Sequence, residues 1–318
     1  MIVSSPLRTN RATQNKRQTV SCVLVLLATG LAVAHSGDSP AKPDSEYIAS
    51  FEKWKAEETE DLKTNWLPLV GLFWLKPGVN TFGSDASNAV VFPKGPAHAG
   101  EFDVKGNEVT LKLLPKTDAS IDGKRVTTAV LQPDISKHLT RVDMGTLHFH
   151  VILRGDRVGI RLKDTEGENA RSFKGMQFFP LDLEYRVTAT WIPADGKKTI
   201  EVPNVLGDVR AQPVPGTVGF KLQGKELRLT PLGGDPKVGL FFVFSDATAK
   251  KIETYPGGRF LDTGPVTNGT VILDFNRAYN PPCAVTPYAT CPLAPKENRL
   301  AVAIPAGEKF DKAAHSHH

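Results

Sequence analysis

The chain predicts an all-β protein with one helix near its N-terminal side. Two observations carry that reading. The 318 residues include 27 Gly and 24 Pro, which interrupt helices. From Trp66 onward, short apolar runs alternate with turn residues at short, regular spacing, as in a sandwich or barrel. Between those runs no stretch of about 10–12 residues has helical periodicity, which disfavours βαβ units and a parallel sheet. With 40% apolar and 23% charged residues, the composition is that of a globular protein with two domains or one large β domain.

Residues 1–34 read as a secretory signal peptide. Arg8, Arg11, Lys16 and Arg17 precede an apolar run from Val20 to Ala34, without any acidic residue. Ala32-Val33-Ala34 has the small-x-small form of a cleavage site, which places the mature start at His35 and the mature protein in the periplasm or outside the cell. The run is shorter than the ~20 residues of a spanning helix, and no Cys follows it for lipid attachment. Cleavage leaves 35 basic against 34 acidic residues. The electrostatic argument for nucleic-acid binding disappears with the leader. No later stretch is apolar enough to predict a membrane span in the mature chain.

Residues 35–43 read as a linker. Residues 44–64 read as an amphipathic helix capped by Asp44 or Ser45, with Tyr47, Ile48, Phe51, Trp54 and Leu62 on one face. Strands are expected at Leu69–Leu75, Ala89–Phe92, Glu108–Leu114, Leu147–Leu153 and Val158–Leu162, with turns at Pro77-Gly78, Lys105-Gly106-Asn107, Asp122-Gly123 and Gly155-Asp156. A polar stretch, Asp164–Ser172, marks a boundary between residues 65–165 and a second antiparallel β domain over 166–310. Its expected strands are Tyr185–Trp191, Thr199–Val202, Thr217–Leu222, Glu226–Leu229, Val238–Phe244, Thr270–Phe275 and Leu300–Ile304. Residues 311–318 form a tail.

Two resemblances sharpen this outline. Gly71–Phe92 (GLFWLKPGVNTFGSDASNAVVF) and the Ile121-Asp122-Gly123-Lys124 turn resemble a forkhead-associated domain. That implies an eleven-strand β-sandwich over about 65–165. Ser84 stands where that family has its phosphate-binding Arg, and no Ser-Arg-x-His follows, so phosphothreonine recognition is not implied. Over residues 45–310 the chain is similar to a bacterial and archaeal family known as domain of unknown function 1684. The strongest block is LDFNRAYNPPCAVTPYATCPLAPKENRLAVAIPAGEK, Leu273 to Lys309. The resemblance implies extent and fold but no reaction.

The density of polar residues around that block defines the candidate site. Asp274, Tyr279 and Glu297 are candidate catalytic groups, a carboxylate serving as general base. Arg259, Asn276, Asn280 and Asn298 are candidate ligand-binding residues, with Arg259 able to fork onto a carboxylate or phosphate. The competing reading makes the same residues struts for an irregular loop, whose backbone groups no ladder satisfies. Cys283 and Cys291 are expected to form a disulfide worth about 2–3 kcal/mol, with metal binding the alternative at an unusual C-x7-C spacing. Pro281, Pro282, Pro287, Pro292 and Pro295 keep this stretch out of any sheet interior, and the loop is expected to pack against the strand ending at Asp274. His148-x-His150 places two imidazoles on one strand face, a weak metal pair that His98 or His138 would have to complete; otherwise the alternation marks a solvent face.

No G-x-S-x-G, H-E-x-x-H, G-x-x-x-x-G-K-[ST] or G-x-G-x-x-G context occurs, and no cofactor is implied. The leading function is binding of a small molecule or glycan in a polar pocket of the C-terminal domain. The alternatives are a hydrolase using a carboxylate, Tyr and Arg cluster in the same pocket, and a protein-interaction module without phosphothreonine recognition.

Overall fold

A computed structural model describes residues 42–311 except Lys197. The expected leader with Cys22, the linker before Lys42 and the tail after Asp311 lie outside the described residues. The fold is mostly β, with antiparallel sheets and no closed barrel. Among the described residues no helix is long and apolar enough to cross a membrane.

Helix α1, Ser45–Asp61, begins where Asp44 accepts a hydrogen bond from the Tyr47 N–H at 2.7 Å, satisfying one orphan donor of the first turn. It runs into a π-helical turn, Leu62–Trp66, closed by Leu67 N–H to Leu62 O at 2.9 Å. The predicted apolar face is only partly used. Phe51 is buried, packing edge-on against Phe178 at 5.4 Å, whereas Ile48 is 42% exposed. Polar ties do the rest: the Tyr47 hydroxyl donates to Asp274 at 2.9 Å and Arg277 donates to the Ser50 hydroxyl at 2.6 Å.

Eleven strands follow. They are β1 Leu69–Trp74, β2 Gly78–Gly83, β3 Val90–Val91, β4 Gly100–Lys105, β5 Glu108–Leu113, β6 Ser120–Ile121, β7 Lys124–Arg125, β8 Thr128–Leu131, β9 Val142–Met144, β10 Leu147–Arg154 and β11 Arg157–Asp164. One sheet has the order β1-β11-β10-β9-β6-β7 and the other β3-β2-β4-β5-β8. Alternation sends one side chain in two to a shared core, where Phe82 stacks on Phe102 at 4.4 Å and both contact Phe149 edge-on. Asp122-Gly123 is the expected turn, with φ of 50° and 74° joining β6 to β7, a primed hairpin conformation. β2, β4, β8 and β9 escape the sequence pattern because they are short or bounded by glycine.

The polar boundary stretch contains a short helix, α2, Glu168–Ser172. Then come β12 Arg186–Pro193, β13 Thr199–Pro203, β14 Val209–Pro213, β15 Gly216–Leu222, β16 Lys225–Leu229, β17 Gly233–Asp235, β18 Gly239–Phe244, β19 Arg259–Asp262 and β20 Thr270–Asp274. They form a four-stranded sheet β16-β15-β12-β20, a three-stranded sheet β17-β18-β19 and the hairpin β13-β14. Every residue of β18 is buried. Leu240, Phe242 and Phe244 enter one core, while Phe241 and Val243 enter a second that contains Cys283 and Cys291. Burial on both faces explains the unbroken Leu-Phe-Phe-Val-Phe run. Leu300–Ile304 is not a strand, contrary to expectation. Its alternate apolar residues Leu300, Val302 and Ile304 are buried, but they are pinned by isolated contacts such as Leu300 N–H to Ser245 O at 2.7 Å.

Candidate functional site

The expected pocket around residues 259–298 is not assembled. Arg259 is 1% exposed. Its guanidinium is held by Asp246 at 2.6 Å, by the Ile304 carbonyl at 3.0 Å and by the Ala306 carbonyl. Asn298 exchanges hydrogen bonds with the Thr230 backbone and donates to Val243 O. Asn276 does the same with the Asp182 backbone. Asn280 donates to Lys309 O, while its own N–H is taken by Glu308. These are struts satisfying irregular backbone. Asp274 faces Tyr47, Asn276 and Arg277. Tyr279 donates to Asp262 at 2.7 Å, and burial, with the Asp262 carboxylate, holds its phenol protonated well above the usual range. Glu297 is exposed.

The proline-rich block stays out of the sheets, as its residues require. It does not pack on β20. Cys283, Ala289, Cys291 and Ala294 instead pack with Ile200 and Val202 of β13, Phe241 and Val243 of β18, and Phe260 of β19. The expected disulfide is not formed in this structure: both cysteines are buried thiols. The Cys283 N–H donates to Cys291 Sγ at 3.3 Å.

That packing creates a seam the sequence reading did not single out. The outer face of the six-stranded sheet presents His148, His150, Ile152 and Arg154 from β10, and Arg157, Arg161 and Lys163 from β11, with His150 paired to Arg161 in register. An outward face in a simple sandwich would be wet. Here Ile152 is 0% and Arg161 6% exposed, because other parts of the chain cover them. Thr290 of the cysteine loop accepts from Arg154 Nε at 2.8 Å and from Arg161 at 3.5 Å. Trp66 lies against the Arg161 guanidinium at 5.5 Å. Val205 N–H, beside the β13-β14 hairpin, binds the Cys291 carbonyl at 3.1 Å.

Three arginines enter the seam, and two have carboxylates. Arg154 pairs with Asp134 at 2.7 Å and Arg157 with Asp208. Among the described residues Arg161 makes no ion pair, although the Asp134 carboxylate that pairs with Arg154 also acts on its charge, and its buried Nε makes no hydrogen bond. Burial and the neighbouring Arg154 charge lower its pKa to about 10, on the order of 3 kcal/mol against holding the charge there. Lys163 reaches Thr64 O and Asn65 and is pushed down to about 8 by burial and by Arg141 and Arg161. Burial and the charges of Arg161, Lys163, Arg141 and Arg154 press His150 down to about 3, so its imidazole is neutral. The same surroundings repel a metal cation. His148 is tied to Asp143 at 2.6 Å, and His98 faces Asn88. Among the described residues no three His, Cys, Asp or Glu side chains form a metal-binding group.

Cationic, partly dehydrated and short of counter-charge, the seam has the chemistry of an anion site. The available sequence signal was the cationic alternation Arg157-x-x-x-Arg161-x-Lys163 beside His148-x-His150. What hid it was the identity of the covering segment. Two shallow surface depressions of 330 and 430 Å³ lie elsewhere, against His98 and Leu114 and against Ile192 and Arg228.

Fold and site together define a mostly-β protein in which a cysteine-bearing loop closes over the cationic face of a sandwich. The chain belongs to the family described as "Protein of unknown function (DUF1684)", whose model matches residues 171–309. The matched span is shorter than the 45–310 expected. It contains Thr290 and both cysteines, while the seam's arginines lie outside it. The chain is also similar to an uncharacterised protein of Haloarcula marismortui with a solution NMR structure. Identity is 31% over 46% of this chain and 81% of that one, with a TM-score of 0.38. No curated protein matches.

Proposed function

We propose that this is an exported binding protein for a small anionic molecule or the acidic group of a glycan, held in the seam between the sandwich and the cysteine loop. The carrying observation is Arg161, buried, making no ion pair of its own among the described residues and lying beside further cations. A buried charge is costly until a fixed counter-charge meets it. A carboxylate, phosphate or sulfate supplies that charge and accepts hydrogen bonds from the guanidinium fork. The export half of this reading rests on residues 1–34. The eleven strands of the sandwich support a forkhead-associated-like architecture. Ser84 donates to Gly95 O at 2.9 Å, a loop-bracing role that leaves phosphothreonine without its fork.

The test is calorimetric titration of the mature chain with inorganic phosphate, citrate and glucuronate at low salt. At least one should bind, and Arg161→Leu should abolish binding while the variant stays folded. Absence of binding by all three, or binding unchanged in Arg161→Leu, would refute the proposal.

A further inference from the structure

Three neighbouring strands line up cations on the outer face of the six-stranded sheet. His150 of β10 faces Arg161 of β11, and Phe149 of β10 faces Val142 of β9. The next antiparallel step sets His150 opposite Arg141, the residue before β9. Arg141, His150 and Arg161 therefore form one row across the sheet, and Lys163 stands two residues from Arg161 on the same face. The row has a floor and a mouth. Arg161 is buried, His150 and Lys163 are half-buried, and Arg141 is exposed. At the floor, the Arg161 Nε is a buried donor without an acceptor.

Charges along the row do not balance. Among the described residues Arg141, Arg161 and Lys163 make no ion pair, while the nearby carboxylates Asp134 and Asp143 are engaged by Arg154 and His148. Asp61 acts on Lys163. Two positive charges are left to be answered. The Arg141 charge reaches both His150 and Lys163, so mouth and floor share one field. Neighbouring strands lie about 4.8 Å apart, which separates the Arg141 and Arg161 backbones by about 10 Å. The His150 imidazole stands between them. A compact ion midway meets the imidazole instead of a guanidinium fork. An elongated molecule with an acid at each end straddles it and gives each fork its own carboxylate.

We infer that the seam's ligand is a short dicarboxylate, one carboxylate on Arg161 at the floor and the other on Arg141 at the mouth, with Lys163 beside them. This rests on the anion-site reading above and adds to it the ligand's second charge and its length.

The experiment is calorimetric titration of the mature chain with glutarate and with pentanoate, which share a five-carbon chain and differ by one carboxylate. Glutarate should bind about tenfold more tightly, or 1.4 kcal/mol. In Arg141→Gln that advantage should shrink to about twofold, whereas Arg141→Lys and the distant surface variant Arg125→Gln should keep it. Equal affinities in the wild type, or an advantage that Arg141→Gln leaves intact, would overturn the dicarboxylate. So would failure of both acids to bind where phosphate or glucuronate does. In each of these cases the anion site itself stands as long as Arg161→Leu abolishes whatever binding is seen. Glutarate binding undiminished in folded Arg161→Leu would overturn both readings.

Discussion

Arg259 and Arg161 bury the same guanidinium in opposite surroundings. Arg259 meets Asp246, which also accepts from the Thr248 backbone and hydroxyl and from Ile304 N–H. Breaking such a pair strands the other charge. Arg259→Met should therefore cost about 3–5 kcal/mol in urea unfolding. Arg161→Met removes a buried charge that has no ionic partner, so without ligand it should be neutral or stabilising in the same measurement. Equal losses in both variants would contradict the distinction. Sequence alone could not make it. Both arginines lie in strands beside apolar residues, and nothing in the local pattern marks Asp246, 13 residues before Arg259, or Thr290, 129 residues after Arg161, as the partner.

At the scale of elements, α1 is docked by small numbers of specific groups. Beneath it, Glu308 accepts from Asn280 N–H at 2.7 Å and is pushed up to about 8 by burial, with Glu58 adding repulsion. The folded state thus holds a proton that the unfolded chain releases near its ordinary value of 4.5. Glu308 favours folding most below about pH 4.5, and this contribution is lost as pH rises toward about 8. Glu308→Gln should flatten the decline in melting temperature between pH 5 and 8; an unchanged slope would show that another group titrates there. The elements themselves were largely legible. β10 and β11 follow from clean alternation, and β18 from an apolar run. Leu300–Ile304 alternates as well, yet it lies among prolines and bonds one residue at a time to Ser245 and its neighbours, so periodicity marked its burial and not its conformation.

Across the whole molecule, the sandwich owns a core built from residues 82–162, whereas α1 is held by Phe178 and by Asp274 and Arg277, outside that core. A chain ending at Thr270 should retain slow amide exchange in β2, β4, β5 and β10 while α1 exchanges freely. Protection of α1 in that truncation would mean that the Phe178 contact holds the helix without Asp274 and Arg277. The all-β outline and the cysteine-bearing loop were readable along the sequence, whereas Arg154, Arg161 and Thr290 were not singled out there. The site's location was not, because it is made by one segment lying over another.

The two ties that define this arrangement span great lengths of chain: Tyr47 to Asp274 across 227 residues and Arg154 to Thr290 across 136. Such closures are slow compared with local pairing. A chain emerging from its N-terminus can complete the sandwich early, but its first helix and its cationic face must wait for the last segment to arrive. The seam is thus the end point of assembly, and a polypeptide interrupted shortly before Thr290 would carry every arginine of the site without possessing the site.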